Sequence, residues 1–265
     1  MSDPRSTPDP DLVTQDNKAR VVWPVADLNR HAGDAPRDRQ ILFGERVTVL
    51  GQDGADSYVI AQKDGYVGFV KTAALGPDIA ITHRINAAAT HVYSAANMKS
   101  ADLFTLHHGS LITVTNMDEK FGQTAHGFVP IQHIKPDDEP EQNLIEIAKL
   151  YLGAPYLWGG NSRAGIDCSG LVQAALTACA IPCPGDSDQQ QDQLGTHLTE
   201  ESNVKKGDLF FWKGHVALAA DSTTLIHANA HHMSVAYEPI ADAIARIQAQ
   251  GDGPVTARKR LSLSR

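Results

Sequence analysis

Two stretches in the first half of this 265-residue chain repeat one another, and that repeat limits the fold more than any other feature. FGERVTVL at 43–50 returns as HGSLITVT at 108–115, and GFVKTAAL at 68–75 returns as GFVPIQHI at 127–134. The offsets are 65 and 59, so the second copy has lost about one turn or strand end. Around the first copy, RVTVLG (46–51), SYVIAQ (57–62) and YVGFV (66–70) are short β-rich runs. Asp53-Gly54 and Asp64-Gly65 separate them. Asp-Gly suits a tight hairpin, because glycine takes positive φ without steric cost. Several such strands within about 55 residues predict a small antiparallel barrel, and the repeat predicts two.

The Gly-x-x-Val-x-Val strand and the closing Gly-aromatic-Val strand resemble bacterial SH3-like domains. Composition fits an ordinary globular protein, with 42% hydrophobic and 20% charged residues. A net charge of −8 argues against nucleic acid or an anionic membrane as the main partner. Arg258, Lys259 and Arg260 form the one basic cluster and read as a solvated end. No run approaches 18 apolar residues, so no membrane span is expected. The first 20 residues are polar, hold three prolines and lack the apolar core of a secretory signal. Three cysteines, odd and few, fit a reducing compartment, and the cytoplasm is the expected location.

The second half carries the chemistry. KPDDEPEQN (135–143) is acidic and proline-bearing, as a domain boundary would be. EQNLIEIAKLYLG (141–153) predicts an amphipathic helix ended by Gly153 and Pro155. After a glycine-rich loop, Leu171, Val172, Ala175, Leu176 and Cys179 recur at helical spacing, which sets Cys168 at a helix N-terminus. There the free N–H groups and the macrodipole favour a thiolate, while Asp167 opposes it. GDLFFW (207–212), HVALAA (215–220) and TLIHAN (224–229) read as consecutive strands. A hairpin centred near Asp221 sets His215 opposite His227, with Cβ atoms about 5 Å apart. Nucleophile, base and orienting group would then stand together. His215, His227, His231, His232 and the cysteines lack compact ligand spacing, so no metal or cofactor is expected. Cys179 and Cys183 read as structural.

Taken together, APYLWGG, DCSGLVQ, GDLFFW, GHVALAAD and LIHANAHHMSVAYEPI resemble the NlpC family of bacterial cell-wall cysteine peptidases, over roughly residues 141–245. The resemblance implies an α+β chain of two small SH3-like β-barrels followed by a papain-like α+β cysteine peptidase domain. The expected division is 1–20 disordered or loosely packed, 21–78 and 79–135 SH3-like, and 136–265 catalytic. It implies Cys168 as nucleophile, His215 as base and His227 as the residue orienting that base. Tyr156 would line the oxyanion site, and Asp167 and Ser169 the substrate groove. Asp186, in a loop where the family's arginine is replaced by Gly185, would help bind a free amine. Members with two SH3-like modules close one groove end with the first module, which nominates Glu45 and Tyr66. The activity implied is hydrolysis of γ-D-glutamyl–diamino-acid bonds (diaminopimelate or lysine) in small peptidoglycan-derived peptides with free N-terminal L-Ala, during murein recycling or wall turnover. The competing readings are a wall-peptide-binding module with little catalysis, or an amidase or acyltransferase on the same core. The resemblance sets no oligomeric state.

Overall fold

The structure, a computed structural model, describes residues 3–33 and 36–262. Met1 and Ser2 of the N-terminal segment, and residues 263–265 of the C-terminal domain, lie outside the described residues. The chain divides into two compact units. One is Met1–Pro140 with Asn161–Ala164, and the other Glu141–Gly160 with Gly165–Arg265. No helix among the described residues is long and apolar enough to cross a membrane.

The first unit begins with a seven-stranded antiparallel sheet. Its spatial order is Arg37–Leu42, Val25–Asn29, Val67–Lys71, Asp56–Ala61, Arg46–Asp53, Asn17–Val21, Leu75–Pro77. Both Asp-Gly pairs make hairpins: Asp53 pairs with Asp56 around Gly54, and Ile60 with Val67 around Gly65. Both glycines have positive φ. The inward residues Leu28, Ile41, Val47, Val59 and Val70 make the core. The expected barrel is open: no pairing among the described residues joins Arg37–Leu42 to Leu75–Pro77. The latter strand has three residues and ends in Pro77, which has no N–H to extend a ladder.

Residues 3–16 are bonded to this sheet rather than loosely trailing. Val67 N–H donates to Arg5 O at 2.8 Å, Asp9 N–H to the Tyr58 hydroxyl at 2.9 Å, and Thr14 N–H to Leu50 O at 2.7 Å. These bonds use the backbone, so a polar composition does not forbid them.

The second copy repeats this strand order. A five-stranded sheet runs Asp102–His107, Ala89–Tyr93, Gly127–Pro130, Phe121–Thr124, Asn116–Met117. A three-stranded sheet runs Leu111–Ile112, His83–Ile85, Ile134–Pro136. Joined at 111–117, they reproduce the first sheet strand for strand. The strand matching Arg46–Asp53 is broken where Val114 N–H turns aside to the Thr82 hydroxyl, 2.9 Å away. In both copies a 3-10 turn follows the closing strand, at Thr72–Ala74 and Ile131–His133. Phe43, Ile85, Val92, Leu106, Ile112, Val129 and Ile134 form the second core.

The second unit is a six-stranded antiparallel sheet between helices. Its order is Thr196–His197, Ala257–Arg260, Leu209–Trp212, His215–Ala219, Thr224–Asn229, Ser234–Pro239. Alternation sorts its side chains. Leu209, Phe211, Val216, Leu218, Ile226 and Ala228 join the core of helices Leu144–Lys149 and Cys168–Ala178. Phe210, Trp212, Ala217, Ala219 and Leu225 pack with Ala243 and Ile247 of helix Ile240–Gln250. The expected helix over 141–153 is shorter, Leu144–Lys149, capped by Asn143. Beyond it the N–H groups of Leu150, Tyr151 and Leu152 reach back three residues, to Ile147, Ala148 and Lys149. That tighter winding turns Tyr151 fully into the core.

The basic end is not a solvated tail. Ala257–Arg260 is a sheet strand, and Arg260 grips the buried Asp208 carboxylate with two bonds of 2.7 Å. Arg258 stacks its guanidinium 5.2 Å from the Phe210 ring.

Candidate active site

The 11-residue helix Cys168–Ala178 begins at the cysteine itself. Asp167 is its N-cap: Oδ1 accepts from Gly170 N–H at 2.7 Å and from the Ser169 hydroxyl at 3.1 Å. Oδ2 accepts from Gly159 N–H at 2.9 Å, tying the glycine-rich loop to the helix start. A carboxylate is favoured here because it satisfies orphan N–H groups. Asp167 and Ser169, nominated as groove residues, thus bond each other and the helix end. The Cys168 thiol is buried, and the backbone N–H groups of Val216, Ser169 and Cys168 face it and favour its ionised form. Val216 adjoins His215, so the thiol lies at the head of that strand.

His215 and His227 share a sheet face. The pairing sets Leu218 opposite Ile226 and Ala219 opposite Leu225. A hairpin centred on Asp221 would set Leu218 opposite Thr224, so the register is displaced by two residues. An even displacement leaves every side chain on its face. The histidines are therefore diagonal neighbours rather than directly opposed. Their nitrogens still meet, His215 Nε2 to His227 Nδ1 at 2.9 Å.

The line continues to residues that sequence patterns did not single out. His227, fully buried, bonds Glu238 Oε2 through Nε2 at 3.0 Å. Arg246, on helix Ile240–Gln250, donates to both Glu238 oxygens at 2.8 Å. Trp212 packs beside His215 with ring centroids 5.6 Å apart. Proton positions follow from the chain of partners. Burial pushes the Glu238 carboxyl up, but Arg246 and His227 hold it below its ordinary value, so it is ionised and accepts. His227 Nε2 must then carry the hydrogen, leaving Nδ1 to accept from His215 Nε2–H. His215 Nδ1 is left with a lone pair, as a base for a thiol requires.

Burial keeps both imidazoles and the thiol uncharged at rest. It pushes His215 down to about 3, with His227 adding to the effect. His227 falls to about 4 for the same first reason, with Glu238 opposing. Cys168 is pushed up to about 12 by burial and then by Asp167, with the three N–H groups opposing.

Tyr156 is half-buried, and its hydroxyl is pushed up first by burial and then by the fields of Cys168 and Asp167. Asp186 occupies the N-cap position of helix Ser187–Gln193, where its carbonyl accepts from Gln190 N–H at 2.8 Å and its side chain caps none of the helix N–H groups. Glu45 and Tyr66 lie in the first unit. Glu45 Oε1 accepts from Lys63 at 2.7 Å while Oε2 has no partner. Tyr66 is buried beneath the Arg39 guanidinium, 5.4 Å from its ring. His227, His232 and Glu238 present ligand-type atoms within 4.8 Å of one another. The Arg246 guanidinium already occupies that carboxylate and sets a positive charge against any cation. The signal for Glu238 was its place as the lone acid in the apolar run SVAYEP.

A sequence model of the NlpC/P60 family matches residues 153–248, and one described as the bacterial dipeptidyl-peptidase Sh3 domain matches 28–75. Dipeptidyl-peptidase 6 of Lysinibacillus sphaericus is 26% identical, across 72% of this chain and 79% of its own. Gamma-D-glutamyl-L-lysine dipeptidyl-peptidase of Bacillus subtilis is 30% identical, across 71% of each. An NlpC/P60 family protein from Bacillus cereus shares the fold, with TM-score 0.77 and 19% identity over 92% of this chain and 99% of that one.

Proposed function

Because the chain belongs to the NlpC/P60 family and is a cysteine peptidase, we propose that it hydrolyses the γ-D-glutamyl–diamino-acid bond of peptidoglycan-derived peptides. The observation that carries this reading is the run of bonds from His215 through His227 to Glu238, at the head of a strand whose Val216 N–H faces the buried Cys168 thiol. His215 Nδ1 takes the thiol proton as Sγ attacks the γ-carbonyl carbon. The oxyanion draws on the Cys168 N–H and the Tyr156 hydroxyl, each donor of this kind being worth about 3–4 kcal/mol. The His215 imidazolium then protonates the leaving amine, the C–N bond breaks and a γ-glutamyl thioester remains. Water, deprotonated by His215, attacks the thioester carbon; the C–S bond breaks, the γ-glutamyl carboxylic acid leaves, and the His215 imidazolium returns its proton to sulfur. The names of the Bacillus and Lysinibacillus relatives support the dipeptidyl specificity.

A free N-terminal ammonium calls for carboxylates. Asp186 and Glu45, with Tyr66, are the residues proposed to recognise it. Small free peptides in the cytoplasm are the proposed substrates. None of the three cysteines is in a disulfide, which fits that compartment. The test is mass spectrometry of L-Ala-γ-D-Glu-meso-diaminopimelate after incubation, beside its N-acetylated copy. Release of diaminopimelate from the free-amine peptide alone is expected. Cleavage of both removes the amine role from Asp186 and Glu45, and cleavage of neither overturns the reading.

A further inference from the structure

A pocket of about 190 Å³ opens beside the histidine line, entirely within the second unit. Tyr156 and His215 border it and Cys168 does not. That position has a chemical meaning. The imidazole that takes the thiol proton must hand it to the departing amine, and so must lie within hydrogen-bond reach of that nitrogen. Whatever the leaving nitrogen carries therefore extends on the His215 side.

Three lining residues have capacity to spare. Asn229 follows His227 by two positions on the same strand, so it shares that face. It is only 4% exposed, and its Oδ1 is taken by the His232 N–H at 2.8 Å and the His232 ring at 3.0 Å. That fixes the amide's orientation and leaves Nδ2, a buried donor, without a partner. Lys213 stands in the two-residue turn between Trp212 and His215, exposed and in no ion pair among the described residues. Asp252, also exposed, adds a carboxylate to the same lining. Arg246 is already committed, to Glu238 and to Gln250 Oε1 at 3.0 Å.

The geometry points to a subsite for the distal, zwitterionic end of the leaving diamino acid. Asn229 and Lys213 receive its carboxylate and Asp252 its ammonium. Meso-diaminopimelate carries both groups on its far carbon. Lysine carries the ammonium alone and would leave the Asn229 donor unpaired. A site built to bond a polar group discriminates strongly against an analogue that lacks it. The inference rests on the hydrolase reading above and names which diamino acid that reading prefers.

The test compares kcat/KM for three peptides beginning L-Ala-γ-D-Glu. They end in meso-diaminopimelate, in diaminopimelate amidated at its distal carboxylate, and in L-lysine. The first is expected to exceed the other two by at least about 10-fold. Lys213→Met and Asn229→Leu should each shrink that ratio to within about 3-fold. If the amidated peptide keeps the advantage, the carboxylate recognised is not the distal one and the subsite is overturned. Equal rates in the unaltered protein, or a ratio untouched by both substitutions, overturn it while leaving the hydrolase reading in place. Hydrolysis of none of the three removes both.

Discussion

Glu238 in the second unit and Glu45 in the first are equally hidden, 6% and 7% exposed, yet they are partnered in opposite ways. Glu238 has both oxygens taken by the planar Arg246 fork and a further bond from His227. Glu45 has one oxygen on the flexible Lys63 ammonium and the other on nothing. Burial alone therefore says little about a carboxylate. A fully bonded one fixes its neighbours, and arginine suits that task because its donors are preset in a plane. A half-bonded one keeps an acceptor to offer.

Cys168→Ala sets the scale for this contrast. Turnover should fall at least about 10⁴-fold, read by product mass spectrometry, with the melting temperature little changed. Glu238→Gln should come next. An amide can present N–H to His227 and invert the tautomers along the line, so kcat should drop by about 10²-fold or more with KM within about 3-fold. A raised KM at full kcat would make Glu238 a binding group and break the contrast. Glu45→Gln should do the reverse. KM for the free-amine peptide should rise by about 10-fold while kcat stands, and an equal fall in kcat would put Glu45 with the fixing groups.

The smallest effect is on stability against pH. Both imidazoles are held well below their ordinary 6.5, so the unfolded chain takes up these protons first. Stability is thus intact above about 6.5 and declines as pH falls toward 3, with the depressed Glu238 acting in the same direction. Cys168, raised from 9 to about 12, gives an alkaline limb in which stability is lost as pH rises across that interval. Melting curves from pH 4 to 10 should show both slopes, and Cys168→Ala should flatten the alkaline one.

Local signals were readable wherever one residue type decides the backbone. The Asp-Gly pairs located two hairpins, the repeat located the shared strand order, and apolar spacing located the start of the Cys168 helix. Contacts made by backbone groups left no such trace. Residues 3–16 bond the sheet through peptide groups, and Asn17–Val21 joins it despite a polar beginning. The Glu238–Arg246 pair was illegible for another reason. It needs the register of Ser234–Pro239 against the His227 strand, and then the rotation of the following helix, neither of which a short motif encodes. Closure failed as an expectation because strand count does not determine whether the end strands meet.

The displaced hairpin between His215 and His227 behaves like a parity check. A shift by two residues leaves both histidines on one face, while a shift by one turns His227 to the opposite face, among Ile226 and Ala228. The connection at 220–223 is pinned by Asp221, whose Oδ1 accepts from the N–H groups of Thr223 and Thr224 at 2.8 and 2.9 Å. A single-residue slip between these strands would disconnect the base from its support without unfolding either strand, so drift at this turn is quantised by the pleat of the sheet.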